Sequence, residues 1–243
     1  MTFTKNTTEI LEALTLKVRV MKSDQIASAW FDDDVGKARE ELEPLCETGL
    51  LERKVIQAHP MVDLWEESEE SGQREPAAKW VPGDPEPTAK DLEDLAEFFQ
   101  SRWDQADEEY EVFVATKRAS NLMGSHIGPP SGDQWTHDLH VAEIFVELKK
   151  DLSPEDMRSV IGEGALPKLG KEIWRMKDPD LFLVDEYGQA ELVIEFAGAY
   201  DKEHLRELHD HCSGGAYQKM KKRFPGRRHR LYSTPQGTEY HLL

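Results

Sequence analysis

Cysteine is scarce: Cys46 and Cys212 are the only two in 243 residues. Two thiols so far apart build no disulfide framework, and a reducing, cytoplasmic setting is expected. Long hydrophobic runs are missing too. None approaches the ~18 residues of a membrane span, and the N-terminus lacks the apolar core of a signal peptide. No membrane partner is expected. Positive charge is the third shortage, with 30 Lys and Arg against 48 Asp and Glu and a formal net charge of −18. Such a surface repels polyanions unless cations are concentrated locally. They are: the net charge is −8 over residues 1–90, −14 over 91–199 and +4 over 200–243. The last segment holds Lys219, Lys221, Lys222, Arg223, Arg227, Arg228 and Arg230, with no acid among them. This run can supply sequence-independent contacts to phosphates. It can equally neutralise the chain's own acidic surface or that of a second copy.

Two apolar runs, Leu181–Val184 and Glu191–Phe196, flank a polar segment containing Tyr187 and Gly188. This pattern predicts a β-hairpin. If the turn centres on Tyr187-Gly188, Asp180 and Glu195 are equidistant from it and face each other, with Cβ atoms roughly 4.5–5.5 Å apart. Two opposed carboxylates repel unless a cation sits between them, and hard oxygen pairs of this kind suit Mg²⁺. The alternative is that each acid simply ends its strand in solvent.

Pro179-Asp180 followed by Glu195 resembles the PD-(D/E)xK nuclease core. The resemblance implies metal ligation by Asp180 and Glu195, joined by an acid on the preceding helix, for which Glu143 is the candidate. That family places a Lys two residues after the second acid, where it positions the attacking water. Here the position holds Ala197, so catalysis would require a substitute such as Lys202 or Lys219.

The N-terminal third reads as three short helices, beginning near Thr8, Ser23 and Asp34. The third carries Ala38, Leu42 and Leu45 on one face and ends at Gly49. A strand from Leu50 follows. The arrangement resembles a winged helix, which implies DNA contact through Lys37 and Arg39 on helix three and through Arg53 and Lys54 at the wing. Acids at 32–34, 40, 41 and 43 argue instead for a protein-interaction module. Residues 66–87 are acidic and rich in Pro and Gly, and they read as a wing tip and linker with Trp65 and Trp80 pairing as its strands.

Thr88-Ala89-Lys90-Asp91 has the form of a capping box and opens a helix with Leu92, Leu95, Phe98 and Phe99. Residues 111–115 read as a strand. A second long helix, 136–150, places Leu139, Ala142 and Val146 on one stripe and His140, Glu143 and Glu147 on another. His137 and His140, and later His204, His209, His211 and Cys212, raise a zinc site that no Cys-rich pair completes. The histidine-bearing helix, then Trp174, Pro179-Asp180 and Glu195, resembles the replication-relaxation family of plasmid and mobile-element proteins. Its members join a winged helix to a degenerate nuclease-like domain.

The expected fold is therefore α/β, with a winged helix over 1–87 and a PD-(D/E)xK-like domain with a mixed sheet over 88–243. The resemblance implies a DNA-binding role in plasmid or mobile-element maintenance with an inactive nuclease fold. Two alternatives stand beside it: an active Mg²⁺-dependent DNA endonuclease using Asp180, Glu195 and Lys202, and an adaptor that binds protein or a second copy of itself rather than DNA.

Overall fold

The computed structural model describes residues 3–67, 74–125, 128, 130, 132, 134–162, 179–184, 190–214 and 237–243. Along the chain, α1 (Lys5–Glu12) passes into a π-helix (Ala13–Lys17), followed by β1 (Val20–Lys22), α2 (Ser23–Trp30), α3 (Val35–Glu47) and β2 (Leu51–Ala58). Three short strands come next, β3 (Trp65–Glu67), β4 (Arg74–Pro76) and β5 (Ala78–Trp80), and then α4 (Ala89–Ser101). β6 (Glu108–Ala115), α5 (Lys117–Met123) and α6 (Trp135–Asp151) follow, with a 3₁₀ turn (Asp156–Arg158) and β7 (Val160–Gly162) after them. The last described elements are β8 (Leu181–Val184), β9 (Ala190–Glu195), α7 (Lys202–Ser213) and β10 (Glu239–Leu242). This is an α/β protein. Among the described residues, no helix is long and apolar enough to cross a membrane.

The chain divides into two compact units, each built from two segments. The first joins Met1–Met61 to Gln105–Lys168, and the second joins Val62–Asp104 to Leu169–Leu243. The division is discontinuous.

Local chemistry sets the helices of the first unit. Thr4 accepts the Thr7 amide at the start of α1, and the Asp34 carboxylate accepts the Lys37 amide at 2.9 Å to cap α3. Asp32 and Asp33 turn the chain between α2 and α3 at φ 50° and 65°, a left-handed conformation that Asp tolerates better than most residues. Gly49, at φ 67°, ends α3 as expected. Ala38, Leu42 and Leu45 are fully buried, so the inward stripe of α3 is the one its spacing predicts. The sheet of this unit has β6 at its centre, with β1 and β2 antiparallel on either side. Val20, Ile56, Ala58, Val112 and Val114 from these strands pack against Leu139 of α6.

β2 thus finds its partner in β6, about 50 residues later, in a ladder running from Leu51↔Ala115 to Ala58↔Glu108. The expected Trp65–Trp80 pairing does not form. Trp65 pairs with Pro76, while Trp80 pairs with Tyr240. Trp80 is buried there, so the larger apolar contact overrides the shorter loop.

In the second unit β9 lies between antiparallel β8 and parallel β10, and β5 runs antiparallel to β10 on its far side. The Thr88/Asp91 capping box is present, and α4 buries Leu92, Ala96 and Phe99. The Asp201 side chain caps α7 by accepting the His204 amide at 2.9 Å.

Candidate functional site

The ladder of the hairpin runs Leu181↔Ile194, Phe182↔Val193 and Leu183↔Leu192, the register predicted from the placement of the two acids. A bulge then brings Val184 opposite Ala190. The proposed turn at Tyr187-Gly188 and Trp174 both lie outside the described residues. One step outward along the regular ladder, Asp180 stands across from Glu195. Leu181 and Ile194 are buried beneath this pair, which anchors both strand ends.

The two acids are tied to backbone and phenol. The Asp180 amide donates to Glu195 Oε2 at 3.2 Å, and the Phe196 amide donates to Asp180 Oδ2 at 2.8 Å. Tyr200 donates its hydroxyl to Glu195 Oε1 at 2.5 Å. Glu195 is only 1% exposed. Burial, and then the negative charges of Glu195 and Asp180, push the Tyr200 phenol far above its ordinary value, so it remains a donor. The strand end is closed by the Leu243 amide donating to the Glu195 carbonyl at 3.1 Å and by the Ala197 amide donating to the Leu243 carbonyl at 3.0 Å. The Arg102 guanidinium donates to the Asp63 carbonyl at 3.3 Å and to the Leu243 carbonyl at 3.4 Å. It lies over the rings of Phe99, at 4.7 Å, and Phe196, at 5.8 Å.

No known protein family, characterised protein or solved structure matches the chain.

Lys202 opens α7, and its ammonium pairs with Glu93 at 4.0 Å. Among the described residues it makes no hydrogen bond or ion pair to Asp180 or Glu195. Glu143 belongs to the first unit, where the buried Gln25 donates to its carboxylate at 2.8 Å and to the Leu139 carbonyl at 3.1 Å, linking α2 to α6. The α6 histidines are likewise engaged. His140 is fully buried with Nδ1 2.6 Å from the Thr136 carbonyl, and His137 Nδ1 is 3.2 Å from Asp138. Among the described residues, no group of three or more His, Cys, Asp or Glu is arranged to hold a metal.

The winged-helix candidates are partly committed elsewhere. Arg39 forms a 2.9 Å ion pair with Glu111 of β6, and Lys54 pairs with Glu52 at 3.2 Å. Lys37 sits over the Phe31 ring at 5.8 Å. Arg53 is exposed on β2. Lys219, Lys221, Lys222, Arg223, Arg227, Arg228 and Arg230 lie outside the described residues.

Tyr200 is a site residue that residue spacing does not reveal, because it sits in the loop between β9 and α7. The Ala197-Gly198-Ala199 stretch before it was the available signal: small residues leave room for an aromatic to fold back on the strand end. A second buried polar chain also went unanticipated. His209 of α7 is fully buried, with Nδ1 3.1 Å from the Tyr240 hydroxyl and Nε2 2.5 Å from Glu86. Trp80 packs edge-on to its ring at 5.2 Å. These contacts join β5, β10 and α7 and account for the histidine without a metal.

Proposed function

We propose that this chain is a DNA-binding protein, of the kind that serves plasmid or mobile-element maintenance, in which the nuclease-like hairpin is a structural closure rather than a catalytic centre. The observation that carries the second half is the state of Glu195. Its carboxylate is buried, and its two oxygens accept from the Asp180 amide and the Tyr200 hydroxyl. A Mg²⁺ ion would have to share those oxygens with the two donors and would lose waters on entering a buried strand end. In this arrangement the residues present do not fit the metal, and no metal-dependent step follows from them. Ala197 stands where the nucleases that the hairpin resembles carry the water-positioning Lys, which favours the non-catalytic reading.

DNA binding draws its support from the first unit and from the charge pattern. Three N-terminal helices and the antiparallel β2–β6 pair of the same unit favour the winged-helix reading. The exposed face of α3 offers Lys37 and Arg39 but also Glu40, Glu43 and Glu47. Phosphate neutralisation is therefore assigned mainly to the run from Lys219 to Arg230. The test is fluorescence anisotropy on a labelled duplex across a range of salt. Wild type should lose affinity steeply, and neutralising Lys221, Lys222, Arg227 and Arg228 together should flatten the log–log slope by about 0.9 per lost contact. An unchanged slope in the fourfold variant would remove the run from the interface.

A further inference from the structure

The first unit contains a cleft of roughly 290 Å³ between α1, the π-helix and the C-terminal end of α6. Its walls carry Lys5, Lys17, Lys149 and Arg158, and its apolar lining includes Trp30 and Phe145. Two carboxylates, Glu9 and Glu12, share the rim, leaving an excess of two positive charges. In a chain with a net charge of −18, that local excess needs a cause.

The four cations are not equivalent. Lys5 and Lys149 each stand 3.5 Å from Glu9, and Lys149 also covers the Trp30 ring at 4.8 Å. Burial raises the Glu9 carboxyl, but the Trp30 N–H and the two ammonium groups outweigh it and hold the group below its ordinary value. Those two lysines thus share Glu9 as an ion-pair partner. Lys17 and Arg158 differ: among the described residues neither makes an ion pair. The Lys17 ammonium is mostly buried and donates to the Val160 carbonyl. Burial lowers its pKa, and the exposed Glu12 only partly opposes this. The π-helix helps place it there. The Val18 amide donates to the Ala13 carbonyl at 2.9 Å, a wider helical turn that rotates the next side chains out of the α1 register.

We propose that this cleft binds a small organic phosphate, with the dianion between Lys17 and Arg158 and the apolar body against Trp30 and Phe145. The volume lies at the small end of ligand sites and suits a compact molecule. A phosphomonoester carries close to two negative charges near neutrality, which matches the excess in the cleft. Lys provides a point charge and Arg a planar fork, a pair that grips tetrahedral oxyanions from two sides. This inference is independent of the DNA-binding reading.

The test is isothermal titration of the full chain with phenyl phosphate, inorganic phosphate and phenol in turn. Phenyl phosphate should bind at one site, with both fragments about tenfold weaker or worse, because each lacks half of the recognition. Arg158→Gln, an exposed change that spares the core, should weaken phenyl phosphate about tenfold. Lys17→Met should do the same, with a circular-dichroism melt reporting whether it still folds. The absence of saturable phenyl phosphate binding, or unchanged affinity in Arg158→Gln, would overturn the proposal. It would also fall if Arg158→Gln weakened duplex DNA while phenyl phosphate failed to bind wild type, since the cations would then serve a nucleic-acid backbone.

Discussion

Replacing Tyr200 with Phe tests the hairpin closure at its most informative atom. The substitution keeps the ring and removes the hydroxyl that donates to Glu195 Oε1 at 2.5 Å. Glu195 is 1% exposed, so water does not readily supply a substitute donor. A hydrogen bond to a charged group is worth about 1.5–3 kcal/mol, and no cavity is created, so the expected loss is about 2 kcal/mol. Urea unfolding at pH 7 should show a lower midpoint with an unchanged slope. One pH signature distinguishes this from general damage. In alkali, the folded phenol is raised above its ordinary value of 10.0. Its contribution is fully present below pH 10 and is lost as pH rises, because the unfolded phenol ionises first. Wild type should therefore lose stability above pH 10 through a component that Tyr200→Phe lacks. A loss below about 0.5 kcal/mol at pH 7, in the range of a neutral surface change, would refute the reasoning.

Further outcomes follow from the first unit. A Cβ at Gly162 would come within 1.9 Å of the Lys17 carbonyl oxygen, so Gly162→Ala must push β7 away from the π-helix. The expected cost is about 1–3 kcal/mol, read as a lower melting temperature; an unshifted melt would mean that the close approach is not maintained. Glu9 is held below its ordinary 4.5, so its stabilisation is present above pH 4.5 and lost as pH falls through the lower folded value. Glu9→Gln should flatten the acid limb of the stability profile below pH 4.5, and a limb identical to that of wild type would contradict the Lys149–Glu9–Trp30 arrangement.

The parts of the fold that could be read from sequence are those set by neighbours along the chain. The α3 boundaries follow from the Asp34 cap and Gly49, and its buried face from the spacing of Ala38, Leu42 and Leu45. The hairpin register followed from symmetry, because Leu181–Leu183 and Leu192–Ile194 fix each other locally. The β2–β6 pairing was not legible, since residues 62–104 separate the two strands and nothing in either sequence names its partner. The π-helix was equally hidden. So was the contact of its Lys17 with Val160, which spans more than half the chain. At the site, the acids were legible as residue types, but their state was not. That Glu195 meets the Tyr200 hydroxyl depends on how the loop after β9 folds back, and no periodicity carries that information.

Binding to DNA without cleavage is what the proposed function stands on. The most direct measurement is one agarose gel of supercoiled plasmid incubated with the wild-type chain and Mg²⁺, with each sample loaded before and after protease digestion. The expected result is a retarded band before digestion and intact supercoiled DNA after it. Nicked or linear product that disappears with Asp180→Ala, or no retardation at all, would contradict it.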